Sequence, residues 1–326
     1  MEKLISLIIP IYNEEQNIPE LYRQLNKITR DIKSQFNCEI IFVNDGSVDQ
    51  SDTLIRELAK SDCRIQYIEF SRNFGKEIAT SAGFYYAAGD AAIMLDADLQ
   101  HPVELIPEFL KKWESGADIV VGIREKNHGE GFIKKYGSFI FYKIMNQIGD
   151  IPLISGSTDF RLLDRKIINE FNKFTERNRM TRSLVDWLGF RRDYIYFTAN
   201  KRFAGEARYS YLKLVKLALS TFVSQSLFPL KIAGHVGVFI TIFAALLGCF
   251  ILVERYIFND ALQLHISGSA QLAVILLFLI GIVLGCLGLI ALYIGNIHGE
   301  VINRPLFVIR EIIKNNKTEN HNAINS

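Results

Sequence analysis

The sequence predicts an α/β fold with a mainly parallel sheet, followed by two apolar helices forming a hairpin. Short apolar runs bounded by turn residues alternate with amphipathic stretches over residues 1 to about 200, the pattern of strand–helix units that cover a sheet on both faces. Two later stretches contain no Asp, Glu, Lys or Arg: Ile232–Val253 over 22 residues and Ala261–Gly299 over 39. The 326-residue chain as a whole is 49% hydrophobic and 22% charged, which excludes a disordered or low-complexity polymer.

The buried strands are expected at Leu4–Ile9, Glu39–Val43, Ile65–Phe70, Ala91–Leu95 and Ile119–Val121. The clearest helix is Asn17–Lys33, which places Leu21, Leu25, Ile28 and Ile32 on one stripe. The opening apolar run is broken by Pro10 and leads straight into acidic residues without a cleavage site, so it reads as a strand and not as a signal peptide. Four cysteines form no C-x-x-C pair, which argues against a zinc site or a disulfide framework. The net charge of +2 gives no reason to expect nucleic acid.

The apolar stretches are expected to cross a membrane at about 232–253 and 272–295, because 20 apolar residues suffice to span a bilayer core. Lys213, Lys216 and Lys231 precede the first stretch and Arg304, Arg310, Lys314 and Lys317 follow the second, while only Arg255 lies between them. That bias puts both termini in the cytoplasm. Residues 1–200 then form a cytosolic domain, 201–229 an acceptor loop with an interfacial helix, 230–298 the membrane hairpin, and 299–326 a cytoplasmic tail, frayed from Lys314. Another interfacial helix is expected at about 130–148, where Phe132, Tyr136, Phe139, Ile140 and Ile144 recur at helical spacing beside lysines. Gly281 and Gly285 make a G-x-x-x-G, which allows close helix contact within the hairpin or in a homo-oligomer.

Ligands of such a sheet bind beyond the carboxyl ends of its strands, and there the sequence is polar after every strand. These positions hold Pro10, Tyr12, Asn13 and Glu14; Asp45 and Ser47; Arg72 and Lys76; Asp96, Asp98 and Gln100; and Arg124. Neither a dinucleotide fingerprint nor a P-loop occurs. Asp96 and Asp98 stand two apart, so an extended backbone projects both carboxylates to one side, an arrangement that suits Mg²⁺ or Mn²⁺ completed by substrate phosphates. Alone, D-x-D is a common solvated turn; its place in a crevice that also holds Asp45, Arg72 and Lys76 sets it apart.

The segments IPIYNEE (9–15), VNDGS (43–47), SRNFGKE (71–77), DADLQHP (96–102), STDFRLLDR (157–165) and KRFAGEARYS (201–210) resemble the family 2 glycosyltransferases of GT-A fold, in particular the polyprenyl-phosphate branch. That branch includes dolichyl-phosphate mannose synthases and bacterial undecaprenyl-phosphate glucosyltransferases. The resemblance implies inverting transfer of one hexose, glucose from a UDP-sugar, to undecaprenyl phosphate at the cytoplasmic leaflet of a bacterial inner membrane. It implies that Asp45 contacts the base, that Asp96 and Asp98 hold the metal and diphosphate, and that Asp159 stands at the reaction centre. Arg124, Lys201, Arg202 and Arg208 are the expected acceptor-phosphate residues, although Ala207-Arg208 stands where the family often has Ser-Lys. An aminoarabinose, N-acetylhexosamine or mannose donor is the alternative within the same chemistry. A processive synthase or a membrane scaffold without catalysis fits less well, the first for want of Q-x-x-R-W and the second because it needs no carboxylate pair.

Overall fold

The computed structural model describes residues 2–125, 156–177, 179–200, 268–314 and 317–319, with isolated positions at 239, 242 and 246. Nine strands form one sheet in the order β7-β5-β6-β4-β1-β2-β3-β8-β9. They are β1 (Lys3–Ile11), β2 (Phe36–Asn44), β3 (Ile65–Phe70), β4 (Ala91–Met94), β5 (Ile119–Arg124), β6 (Ser157–Asp164), β7 (Arg192–Phe197), β8 (Ile309–Lys314) and β9 (Lys317–Glu319). Five of them match the apolar runs of the sequence. β3, β2, β1 and β4 pair in parallel, as do β5 and β7. β6 runs antiparallel between β4 and β5, and β8 runs antiparallel on the outer edge of β3.

Alternation along the strands divides the core between the two sheet faces. Ile5, Leu7, Ile9 and Ile11 of β1 pack with α1 (Ile18–Asp31), α2 (Ser51–Ser61) and α4 (Ile106–Glu114). Ile8, Ile41, Val43 and Ile68 pack with α3 (Lys76–Tyr86), α5 (Arg165–Phe171) and α6 (Thr181–Trp187). α1 carries Pro19 in its first turn, Glu20 at its amino end and Arg30 in its last turn, each where helix-end geometry and the dipole favour it. Gly83 of α3 lies so close to β1 that an added Cβ would stand 2.2 Å from Ile8 Cγ2.

The described residues fall into two compact units, one made of Met1–Asn146, Ile151–Arg208 and Arg304–Ser326, the other of Gln147–Asp150 and Tyr209–Asn303. The expectation of fraying from Lys314 is corrected for Lys317–Glu319, which pair with β8 as β9. After Arg304 the chain rejoins the first unit, where Phe307 stacks on Phe70 with 5.2 Å between ring centroids and β8 pairs with β3. Arg310 bonds Glu69 and donates to the Ser71 carbonyl at 2.9 Å, while Arg56 reaches Glu311 at 2.5 Å. Two apolar residues of β8, Ile312 and Ile313, are buried, so hydrophobic burial together with ion pairing on β3 holds the segment down.

In the second unit, α7 (Gly268–Val301) runs helical for 34 residues, across the later of the two expected spans. Over the residues whose side chains are described, no helix is long and apolar enough to cross a membrane, so the two-helix hairpin is not shown. Apart from the isolated positions 239, 242 and 246, the earlier span at 232–253 lies outside the described residues, as do both interfacial helices and Lys201, Arg202 and Arg208.

Candidate active site

The antiparallel course of β6 explains how a carboxylate far along the chain enters the crevice. Arg161 pairs with Met94 at the carboxyl end of β4 and with Val121 of β5, so Asp159, two residues nearer the start of β6, lies just beyond the end of β4 and alongside the last residues of β5. Side chains from two other elements, Lys76 and Arg182, bind it there. Lys76 Nζ, from the start of α3, is 2.5 Å from Asp96 Oδ1 and 2.6 Å from Asp159 Oδ2. Arg182 of α6 donates through Nε to Asp159 Oδ1 at 2.5 Å and through Nη1 to the Ser157 carbonyl at 3.0 Å.

Charge alternates through this chain of contacts, from Asp96 to Lys76 to Asp159 to Arg182. Burial opposes ionisation of Asp159, but the Arg182 hydrogen bond and the Lys76 charge outweigh it and hold the carboxyl well below the usual range. Burial likewise lowers the Lys76 pKa, and the Asp96 and Asp159 charges more than reverse that effect. Both groups are therefore charged near neutral pH, and Asp159 is a weak base.

Asp96 is fixed from behind. Its backbone N–H donates to His101 Nδ1 at 3.1 Å, and the His101 ring stacks on Phe160 with centroids 5.3 Å apart. Burial lowers the pKa of His101, which keeps the ring neutral and Nδ1 an acceptor. Asp98 Oδ1 accepts the Gln100 N–H at 3.1 Å, and Asn200 N–H donates to the Gln100 carbonyl at 3.2 Å. Arg161 anchors the start of β6 from the interior. Its buried side chain donates to Asp186 at 3.2 Å, Ser157 Oγ at 2.6 Å and the Thr158 carbonyl at 3.0 Å.

The first three strand-end loops are tied to one another. Asp45, 2% exposed, accepts the backbone N–H groups of Phe74 at 2.6 Å and Gly75 at 2.9 Å, and so holds the loop that leads into α3. Burial raises its pKa, an effect the two N–H groups partly offset. This carboxylate is thus engaged with the backbone of the loop after β3. Gly46 follows at φ +67°, where an added Cβ would stand 2.5 Å from the Arg72 carbonyl carbon; only glycine satisfies both constraints. Asn13 N–H donates to Ser47 Oγ at 3.0 Å and Asn13 Oδ1 accepts the Val48 N–H at 2.8 Å.

Among the other expected residues, Pro10 is buried within β1, Tyr12 is exposed at the mouth, and Glu14 N–H donates to Ser51 Oγ at 2.9 Å. The Arg72 guanidinium lies 4.0 Å over the Phe74 ring, and Arg124 ends β5 opposite Phe197. Sequence reasoning missed Arg182 and the role of His101. The only local signal for His101 was its place in DADLQHP; for Arg182 there was none.

Whether the site suits a divalent cation can be judged from its donors. Among the described residues no three His, Cys, Asp or Glu side chains are grouped to hold a metal. Mg²⁺, however, is commonly bound by one or two carboxylates plus substrate phosphates. Asp96 Oδ1 is buried without a well-directed hydrogen bond and has an ammonium beside it. The site thus already accommodates positive charge at the carboxylate expected to hold metal, and the pair Asp96 and Asp98 fits.

Residues 6–171 match the family described as Glycosyl transferase family 2. An uncharacterized glycosyltransferase of Bacillus subtilis (strain 168) is 40% identical, the match covering 94% of this chain and 93% of that protein. An SfII prophage-derived bactoprenol glucosyl transferase of Shigella flexneri is 35% identical over 96% of this chain and 99% of that protein. A prophage bactoprenol glucosyl transferase homolog of Escherichia coli (strain K12) is 36% identical over 95% and 99%. Matched in this way across almost its whole length, with a GT-A sheet and its strand-end carboxylates in place, the chain belongs to glycosyltransferase family 2.

Proposed function

We propose that this enzyme transfers glucose from UDP-glucose to a polyprenyl phosphate, releasing UDP. The observation that carries the reading is the Asp96–Lys76–Asp159–Arg182 cluster at the carboxyl ends of the strands, taken with relatives named for bactoprenol glucosyl transfer. The acceptor phosphate has a second pKa near 6, so at neutral pH it is already an oxygen nucleophile and needs no strong base. Asp159, held in its charged form, suits orientation and not proton abstraction. An acceptor oxygen attacks the anomeric carbon as the bond to the UDP oxygen breaks. One displacement inverts the centre, giving a β-linked product from an α-linked donor.

Lys76 and Arg182 offer cations where negative charge gathers on the departing diphosphate, and charge stabilisation of this kind is a large term in catalysis. Asp96 and Asp98 would hold a Mg²⁺ or Mn²⁺, whose positive charge neutralises the diphosphate when bound.

The lipid acceptor calls for a bilayer, and the membrane reading is supported by the sequence, in which Ile232–Val253 and Ala261–Gly299 carry no Asp, Glu, Lys or Arg. The Lys/Arg bias around the two charge-free runs supports a hairpin at 232–253 and 272–295 with both ends cytoplasmic in the bacterial inner membrane. Gly285 and Gly288 leave open space beside the helix backbone, which suits packing of a second span or a second copy.

The test incubates full-length protein in vesicles with polyprenyl phosphate and labelled UDP-glucose, UDP-N-acetylglucosamine, UDP-aminoarabinose or GDP-mannose. Label should become solvent-extractable from UDP-glucose, and EDTA should abolish the reaction. Asp98→Asn should lower turnover about 10²-fold or more. Transfer from another donor alone would refute the sugar assignment, and full activity of Asp98→Asn would refute the metal site.

A further inference from the structure

The loop between β3 and α3 brings Lys76 into the site, and its first residue is held by a segment 239 positions further along the chain. Ser71 N–H donates to the Val308 carbonyl at 2.9 Å, and the Ser71 carbonyl accepts from Arg310 Nη2 at 2.9 Å. Both backbone groups of Ser71 are thus engaged at the start of β8. Ring contacts continue into the loop: Phe307 stacks on Phe70, and Phe70 meets Phe74 edge to face with centroids 5.6 Å apart. At the far end of the loop, Asp45 holds the N–H groups of Phe74 and Gly75.

The reach of Arg310 follows from strand register. Ile309 pairs with Phe70 and Glu311 with Glu69, so Arg310 is the extra residue of a bulge, a device that re-aims a side chain. Its guanidinium bonds the Glu69 carboxylate as well as Ser71. Buried Glu69 does not depend on it for charge compensation, because Arg56 Nη2 reaches the other carboxylate oxygen at 2.6 Å. The Arg310 side chain is 60% exposed, and a pair so open to water adds little stability. What remains distinctive is its hold on the Ser71 carbonyl.

We propose that Arg310 is a positioning residue for the donor, acting through Ser71 to fix the loop that sets Lys76 against Asp96 and Asp159. The proposal rests on the reading of that cluster as the site of the departing diphosphate.

The test compares full-length Arg310→Ala, Arg310→Lys and Ile313→Ala with the wild type. Ile313 is buried in the core opposite Tyr67, so its truncation weakens β8 without touching Ser71. Hydrogen exchange in peptides spanning Ser71–Lys76 should quicken about 10-fold in Arg310→Ala, the worth of one hydrogen bond, and not in Ile313→Ala. Tm should move by no more than about 4 °C in Arg310→Ala and fall further in Ile313→Ala. In vesicles with polyprenyl phosphate and the donor that labels lipid, Arg310→Ala should lower donor kcat/KM about 10-fold with acceptor KM unchanged. That is less than the 10²-fold of a misplacement of about 1 Å, since Asp45 still holds the loop. Arg310→Lys keeps a charge beside Glu69 but loses the fork, and should recover only part. Unaltered loop exchange in Arg310→Ala overturns the proposal, as does faster exchange with unaltered donor efficiency. Complete rescue by Arg310→Lys would show that the charge beside Glu69 matters and not the hold on Ser71, and an equal loss of donor efficiency in Ile313→Ala would reduce Arg310 to strand stability; either result overturns it too. Absence of label from every donor in the wild type refutes the proposed function instead, and loop exchange then still decides whether Arg310 holds the loop.

Discussion

Arg161 and Asp186 form a buried ion pair with side chains 2% and 4% exposed, and the consequence of breaking it differs by which partner is removed. Loss of one member of a buried pair costs about 3–5 kcal/mol, because the survivor is left charged and dry. Asp186 has a second cation, Arg192, at 3.4 Å. Arg161→Met therefore leaves it partnered, and the cost falls at the low end, about 3 kcal/mol. Asp186→Leu strands the guanidinium of Arg161 with only neutral acceptors, at about 5 kcal/mol. For a unit of this size each kcal/mol lowers Tm by roughly 2–4 °C, giving losses of about 6–12 °C and 10–20 °C. The double variant removes both charges and leaves Arg192, 18% exposed, free to turn toward water, so most of the stability should return. Activity should not return with it. Ser157 and Thr158 lead directly into Asp159 and lose their shared donor, and a displacement of about 1 Å there costs on the order of 10²-fold in turnover. Melts of the three proteins in detergent, read by circular dichroism, test the energetics, and solvent-extractable label tests the rest. The reasoning is refuted if Asp186→Leu is milder than Arg161→Met, if the double variant shows the sum of the single losses, or if it recovers activity together with stability.

Three further outcomes are expected. Gly46→Ala forces a Cβ into the backbone of Arg72 at positive φ; the conformational strain alone is about 1–2 kcal/mol, so Tm should fall and donor KM rise, and wild-type donor affinity would count against the tied-loop description. Phe307→Ala removes the ring stacked on Phe70 and should lower stability by about 2 kcal/mol, less than for a fully buried Phe, as measured by denaturant midpoint. The third concerns pH: the folded pKa of Asp159 is depressed, so its stabilisation is present above the unfolded value near 3.9 and is lost as pH falls from there toward the folded value. The gap in stability between the wild type and Asp159→Asn should accordingly narrow between pH 6 and pH 3, and an unchanged gap would show that the carboxylate charge is not what stabilises.

The first five strands were readable because each is a short apolar run closed by turn residues, and the crevice followed from the polar residues after them. β6 was not recognised as a strand because Ser157–Asp164 interleaves charges with apolar residues. Arg161 is tolerated in the interior only through Asp186, 25 positions away, and no local pattern reports such a partner. β8 escaped for a similar reason: its mate β3 lies some 240 positions earlier, as the 241-residue separation of Arg310 and Glu69 shows. Asp96 and Asp98 were visible as a spacing, whereas the link of Lys76 to Asp159 and Arg182 depends on β6 running antiparallel, which spacing does not encode. Asp45 was legible as an acidic residue after the second strand, but its engagement with the backbone of Phe74 and Gly75 is visible only in three dimensions.

The return of β8 to β3 also bears on how the protein is made. A ribosome releases β3 early and β8 only some 240 residues later, which at 5–20 residues per second takes roughly 12–48 s. Throughout that interval β3 is a bare edge, with Glu69 lacking Arg310 and Phe70 lacking Phe307, and such an edge is prone to pair with other chains. The sheet reaches its native edge only after the apolar segment between has emerged and been accommodated. Completion of the catalytic unit thereby reports on delivery of the hydrophobic segment. A chain stalled before Arg304 would present quality-control proteases with an open β3 edge, a mark that the finished enzyme no longer displays.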